Sequence, residues 1–175
     1  MTIESRGVMI SVTTAVILAT LIVTVTTSGS PNPALAQGPP NIVINLTGNE
    51  EVPPVQTEAT GVAEFMPLGE DSSDEPITYT VNATNIEGVT AGHIHYGIEG
   101  ENGPIVVTLF NYDTPMNEVS ESGTITTDKL EGPMAGMQIS DLAAAGANGT
   151  LYVNIHTEQN PDGEIRGQGG PPTNQ

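Results

Sequence analysis

The chain has 175 residues, with three basic side chains against 21 acidic ones, a formal net charge of −18, three histidines and no cysteine. That length suits one ordinary domain preceded by a targeting segment. Arg6, Lys129 and Arg166 are the whole basic complement, so the footprint that a nucleic-acid backbone requires is missing. The charge opposes adsorption to anionic lipid. The missing cysteines exclude thiol enzymes, zinc ribbons, iron–sulfur centres and disulfide scaffolds.

Arg6 is followed by an uncharged, strongly apolar stretch over 8–25, a polar run over 26–32, and Ala34-Leu35-Ala36. This order predicts a secretory signal peptide over 1–36, cleaved before Gln37. An uncleaved membrane anchor is the alternative, because a spanning helix needs ~17–25 apolar residues. Either way, the segment is the only route to a membrane, and the remainder lies outside the cytoplasm. An acidic surface of this kind self-repels, stays soluble and favours cationic partners. Asn45, Asn82 and Asn148 each open an Asn-x-Thr triplet and are candidate glycosylation sites.

Residues 37–41 read as a linker. Ile42, Ile44 and Leu46 alternate with polar neighbours, the period of a strand. Glu51-Val52-Pro53-Pro54-Val55 cannot sit inside a sheet, since two prolines remove two ladder donors. Strands are expected over 61–66 and 77–83, separated by an acidic loop over 68–76. Residues 86–90 lead into Gly92-His93-Ile94-His95-Tyr96-Gly97. A turn over 100–104 precedes an apolar run over 105–110, of the kind buried on both faces. Residues 123–127 form another short strand. A helical turn is expected over 140–146, capped by Ser140 or Asp141 and ended by Gly146. The β-rich run 150–156, a turn at Asn160-Pro161-Asp162-Gly163 and a strand from Glu164 complete a domain over 42–168, leaving 169–175 as a tail. Short strands between Gly, Pro and Asn turns predict an all-β, Greek-key sandwich of the immunoglobulin-like or superoxide-dismutase-like type.

His93 and His95 sit two residues apart, so in a strand they share a face, and Ile94 points into the core. With Val153 and Ile155 inside, Tyr152, Asn154 and His156 fall on the other face. All three imidazoles then decorate the non-core surface of the sheet and converge if their strands are neighbours. Pairing Ile155 with Ile165 across the last hairpin sets His156 opposite Glu164 and Asn154 opposite Arg166. Cross-strand Cβ atoms sit about 4.5–5.5 Å apart, which makes Glu164 a candidate hydrogen-bond partner behind His156 or a fourth ligand. Three neutral imidazoles suit Cu(II), Zn(II) or Ni(II), and three protein ligands leave an open position. Against this stands the plainer reading, of histidines held in ordinary turns and a Glu164–Arg166 surface ion pair. Met134 and Met137 are read as core filler rather than Cu(I) ligands.

Four stretches resemble the chordin-type CHRD domain family: 46–55 (Leu-Thr-Gly-Asn-Glu-Glu-Val-Pro-Pro-Val), 91–97 around His93 and His95, 100–106, and 151–157 through 163–168. They occur in the family's order, and Gly92 stands where the family often has Ala. The resemblance implies an extracellular β-sandwich and no settled enzymatic activity. In animals such domains sit in a secreted binder of growth factors, and in microbes in exported proteins. Similarity to Cu/Zn superoxide dismutase is looser. That enzyme's two-metal site uses six histidines and an aspartate, which three histidines cannot supply.

Two functions therefore stand side by side. One is an exported module that holds one Cu or Zn ion through His93, His95 and His156, with Glu164 behind or beside them and Asn154 and Arg166 in support. The other is a cell-surface or matrix module that engages a protein partner or a second copy through strand edges, without metal chemistry. An enzyme is the weakest reading. Open-site copper with Glu164 as base can support redox chemistry, but serine-nucleophile motifs, phosphate loops and paired-carboxylate signatures are absent from the sequence.

Overall fold

The structure, a computed structural model, describes residues 41–67 and 74–170. The expected targeting segment, most of the linker, the first part of the acidic loop and the last five residues lie outside the described residues. Eight strands make up about half of the described residues. They are β1 (Ile42–Thr47), β2 (Thr60–Pro67), β3 (Ile77–Thr84), β4 (Val89–Tyr96), β5 (Ile105–Met116), β6 (Val119–Ile125), β7 (Leu151–Thr157) and β8 (Ile165–Gln168). Among the described residues one helix, α1 (Ile139–Ala147), and three short 3-10 turns accompany them. Among the described residues no helix is long and apolar enough to cross a membrane.

The all-β class stands. The strands form one antiparallel sheet in the order β5-β4-β7-β8-β1-β2-β3-β6. Its thinnest seam lies between β8 and β1, where Thr47 and Arg166 are the one paired register position. The two ends of the order also meet, where the Tyr112 hydroxyl of β5 donates to Glu121 of β6 at 2.8 Å. The two halves of this nearly closed sheet share one core. Ile94, Val107, Val153 and Ile155 from one half pack with Leu46, Ala63, Val81 and Ile125 from the other. With so few aromatics, β-branched and Leu side chains fill the interior. Met134 is among them, at 4% exposure, as a core filler, whereas Met137 is exposed and not part of the core.

Three elements depart from the sequence expectations. β5 runs on from the apolar segment to Met116, and its second half is mostly exposed. Pairing continues there through Ala91↔Asn111 and Val89↔Met116 across register shifts, so the backbone ladder persists where hydrophobic periodicity is silent. β6 begins at Val119, four residues early, because the polar Ser120, Glu121 and Ser122 pair with Asn82, Val81 and Thr80 of β3. The helix is capped by neither Ser140 nor Gly146. Gln138 occupies the N-cap, where its backbone N–H donates to the Asp141 carboxylate at 2.9 Å. The reversal comes at Gly149, at φ +72°, one turn past the expected stop.

β4 and β7 are direct neighbours, with pairs Ala91↔His156, His93↔Asn154 and His95↔Tyr152. β7 and β8 pair as anticipated, Ile155 against Ile165 and Asn154 against Arg166. The outward face of these three strands is not a bare surface. Arg166 (1% exposed), Tyr152 and Asn154 (2% each), and His95 and Glu164 (7% each) are all buried there. A second layer covers them, made of the segment after β1 and the loop between β4 and β5. Asn102 in that loop donates to Val52 O at 2.6 Å, which ties the two covers together.

Candidate metal centre

The register sets a grid of six outward side chains. β4 contributes Ala91, His93 and His95, and β7 contributes His156, Asn154 and Tyr152 opposite them. The imidazoles occupy the centre of one row and a corner at each end, with the small Ala91 leaving room beside His156. Their rings gather closely. Centroids lie 5.7 Å apart for His93–His95, 4.8 Å for His93–His156 and 5.8 Å for His95–His156. One nitrogen from each falls within 4.8 Å of the others. An ion bonded at ~2.0–2.1 Å spaces its ligand nitrogens at no more than ~4.2 Å, so small ring rotations close the set around it.

Hydrogen bonds fix which nitrogens face inward. His95 Nδ1 lies 2.9 Å from Gly103 O, and His156 Nδ1 lies 2.8 Å from Pro161 O. A carbonyl only accepts, so both Nδ1 atoms carry the proton and both Nε2 atoms present lone pairs. His95 Nε2, His156 Nε2 and His93 Nδ1 are buried without a hydrogen-bond partner. Fixing one ring nitrogen through a backbone carbonyl is how ligating histidines are oriented. Burial holds all three imidazoles below their ordinary range. His93 falls to about 4, with the fields of His156 and His95 adding to the effect. They are therefore neutral, and able to ligate, at neutral pH.

The support is a column. The Arg166 guanidinium carbon lies 3.5 Å from the centroid of Tyr152, and Tyr152 stacks on His95 at 4.8 Å and 10° between planes. The Arg166 fork is satisfied by Glu101 O, Asn102 Oδ1, Ile98 O and Gln168 Oε1, at 2.8–3.2 Å. Gly103 is locked in place as well. Its N–H donates to the Tyr152 hydroxyl at 3.0 Å, and a Cβ there would overlap the Tyr96 carbonyl.

Two sequence expectations need correction. Glu164 neither backs His156 nor joins the nitrogen cluster. Its carboxylate accepts from Thr57 and Thr157 at 2.7 Å each and from Asn160 at 3.1 Å. Pro161 O takes the place foreseen for it, because the Asn160–Gly163 turn folds back over His156. Glu164 and Arg166 likewise turn to these separate partners rather than to each other. The second correction is exposure: the covering layer sinks the centre below the surface, with His93 and His156 half-buried and His95 buried. The candidate glycosylation residues Asn45, Asn82 and Asn148 are all exposed.

Sequence reasoning missed Glu51, Gly103 and Gly163. Glu51 is 5% exposed and its Oε1 has no donor. Burial pushes its carboxyl up to about 7, against the pull of the Arg166 charge and the Asn154 amide. Gly163 sits at φ +133°, and a Cβ there would come within 2.4 Å of Glu51 Oε1 and 2.6 Å of Asn154 Nδ2. The signal was available in the sequence: an acid placed before two prolines, and a glycine closing an Asn-Pro-Asp turn. Gly92 is also explained, since a Cβ there would meet the Phe110 ring at 2.4 Å.

The family model for the CHRD domain matches residues 42–168. The chain belongs to the CHRD domain family. No curated protein and no solved structure matches it.

Proposed function

We propose that this CHRD domain is an exported binding module that holds one transition-metal ion, copper or zinc, on His93, His95 and His156. The observation that carries the reading is the convergence of three imidazole nitrogens within 4.8 Å, with each lone pair left without a donor. A buried acceptor without a partner costs about 1–3 kcal/mol. A ring of acceptors with no donor among them is what a cation satisfies. All-nitrogen, thiolate-free ligation suits Cu(II) or Zn(II), and the low imidazole pKa values keep protons from competing. Family membership and the apolar leader at 1–36 support placement outside the cytoplasm.

The test is thermal unfolding of metal-free protein with copper or zinc added. An ion bound only by the folded state adds about 2.7 kcal/mol at a hundredfold excess over Kd. The midpoint rises for the wild type and stays put for the H93A/H95A/H156A triple variant. No rise in the wild type, or an equal rise in the variant, contradicts the reading.

A further inference from the structure

Beyond the three imidazoles, two more buried side-chain atoms among the described residues lack a partner: Asn154 Oδ1 and Glu51 Oε1. Both belong to residues more than nine-tenths buried, and the two side chains are neighbours, Glu51 Oε1 and Asn154 Nδ2 both lying over the same point above Gly163. We propose, resting on the three-histidine reading, that Asn154 Oδ1 is the fourth protein ligand to the ion and that Glu51 is the positioning residue that aims it.

The sheet register carries the first half. Asn154 pairs directly with His93, flanks His156 two positions along β7, and lies diagonal to His95 across β4. Direct pairs put Cβ atoms about 4.5–5.5 Å apart and diagonal ones about 7–8 Å. No other position in the six-residue grid adjoins all three imidazoles. Asn154 is also the only non-imidazole acceptor in the grid left without a donor.

Amide chemistry carries the second half. An Asn side chain has one donor end and one acceptor end. The Nδ2 end is already engaged: it donates to Asp162 O at 3.3 Å and lies beside the Glu51 carboxylate. In its ionised form Glu51 only accepts, and that form would select the rotamer that turns Nδ2 toward it and leaves Oδ1 facing the other way. Gly163 permits this contact by having no Cβ. The resulting N3O set joins three imidazoles to one neutral amide oxygen. Amide and backbone oxygens serve as weak axial copper donors in thiolate-bearing blue-copper sites; here the same donor type would complete a set without thiolate.

The experiment titrates copper(II) chloride into metal-free full chain and reads affinity and the Cu(II) electron paramagnetic resonance spectrum. It also reads deuterium modulation in D₂O, which reports directly bound water. In the wild type, three nitrogens are expected with no deuterium modulation from a directly bound water. In N154A, affinity is expected to fall about 10–100-fold, the size of effect seen when groups supporting a metal are removed; the spectrum shifts and water modulation appears. E51A reproduces the spectral shift. E51Q, whose amide oxygen is equally able to accept from Asn154 Nδ2, keeps the wild-type spectrum, which a merely structural role for Glu51 does not predict. Wild-type affinity and spectrum in N154A overturn the inference while leaving the three-histidine reading intact. If N154A does not fold, water modulation already present in the wild type overturns it just as directly. Copper uptake by the wild type that is matched by the triple-histidine variant, or no uptake at all, overturns the underlying reading instead.

Discussion

The β2–β3 ribbon and the β4–β7 ribbon are built on the same alternation but use their outer faces differently. In β3, burial strictly alternates along most of its length, with Val81 and Ala83 inside and Asn82 and Thr84 exposed. In β7, six of seven residues are buried and the seventh, His156, is half-buried. Inside, Val153 and Ile155 do the same work as Val81 and Ala83. Outside, β7 carries a second covered layer of Tyr, Asn and His in which five polar atoms, counting those on β4 and the cover, have no partner. A fold seeking stability alone gains nothing from such a layer, since an apolar cover removes the desolvation cost. In the proposed function the outer layer of the β4–β7 ribbon serves binding, and the core beneath it provides the stability.

The largest expected effect separates those two roles. The triple variant H93A/H95A/H156A loses measurable copper or zinc binding in equilibrium dialysis, while circular dichroism reports the same sheet. The converse substitution, Ile155→Ala in the core directly beneath, removes a fully buried side chain. It costs about 2–5 kcal/mol in urea unfolding and leaves the ion stoichiometry of the folded fraction unchanged. If the two variants behave alike, the distinction between the layers fails.

Next in size is Gly163→Ala. Its φ of +133° disfavours any Cβ, and the added atom presses on Glu51 and Asn154. Destabilisation of about 1–3 kcal/mol is expected, with weakened metal binding. A Gly100→Ala control, at φ +80° but with open space around its Cβ, perturbs stability alone.

The pH dependence of the metal-free protein follows from the imidazole environment. His93 has a folded pKa of about 4 against an ordinary 6.5, so the unfolded chain binds more protons between these values and stability falls as pH drops through that window. His95 and His156 shift in the same direction. Glu51 acts oppositely. Its folded pKa of about 7 exceeds the ordinary 4.5, so its contribution is present at low pH and is lost as pH rises toward and through 7. Unfolding from pH 4 to 8 therefore shows an acid limb that disappears in the triple-histidine variant. E51Q removes the loss near pH 7 and keeps the acid limb. The reverse assignment contradicts the buried geometry.

The smallest effect completes the contrast. Val43 faces outward on β1 at 54% exposure, and Val43→Thr changes stability by no more than about 0.5 kcal/mol with no effect on metal. An outward position on the uncovered half of the sheet is inert, while Asn154 on the covered half is not.

Much of this was legible in the sequence. Two-residue alternation set His93 and His95 on one face and Ile94 on the other, and pairing Ile155 with Ile165 fixed the last hairpin. Alternation reports which side a residue takes. It does not report whether that side is later covered, and for that reason the centre was expected on an open surface. The cover is drawn from 48–59 and 97–104, segments whose prolines and glycines mark them as non-strand and say nothing of where they fold. Glu164 was expected behind His156 because Cβ proximity across a hairpin was taken to decide contact. The hydroxyls of Thr57 and Thr157 and the Asn160 amide donate to that carboxylate instead. The extra lengths of β5 and β6 were hidden because edge pairing needs only backbone groups, which carry no hydrophobic signature.

The central claim is that the three histidines form one ion site. The most direct measurement is the metal content of the full chain after dialysis against an equimolar mixture of copper and zinc, read by elemental mass spectrometry alongside H93A/H95A/H156A. One ion per wild-type chain and none per variant chain is the predicted result. A wild-type chain without bound metal, or a variant that retains the same amount, contradicts it.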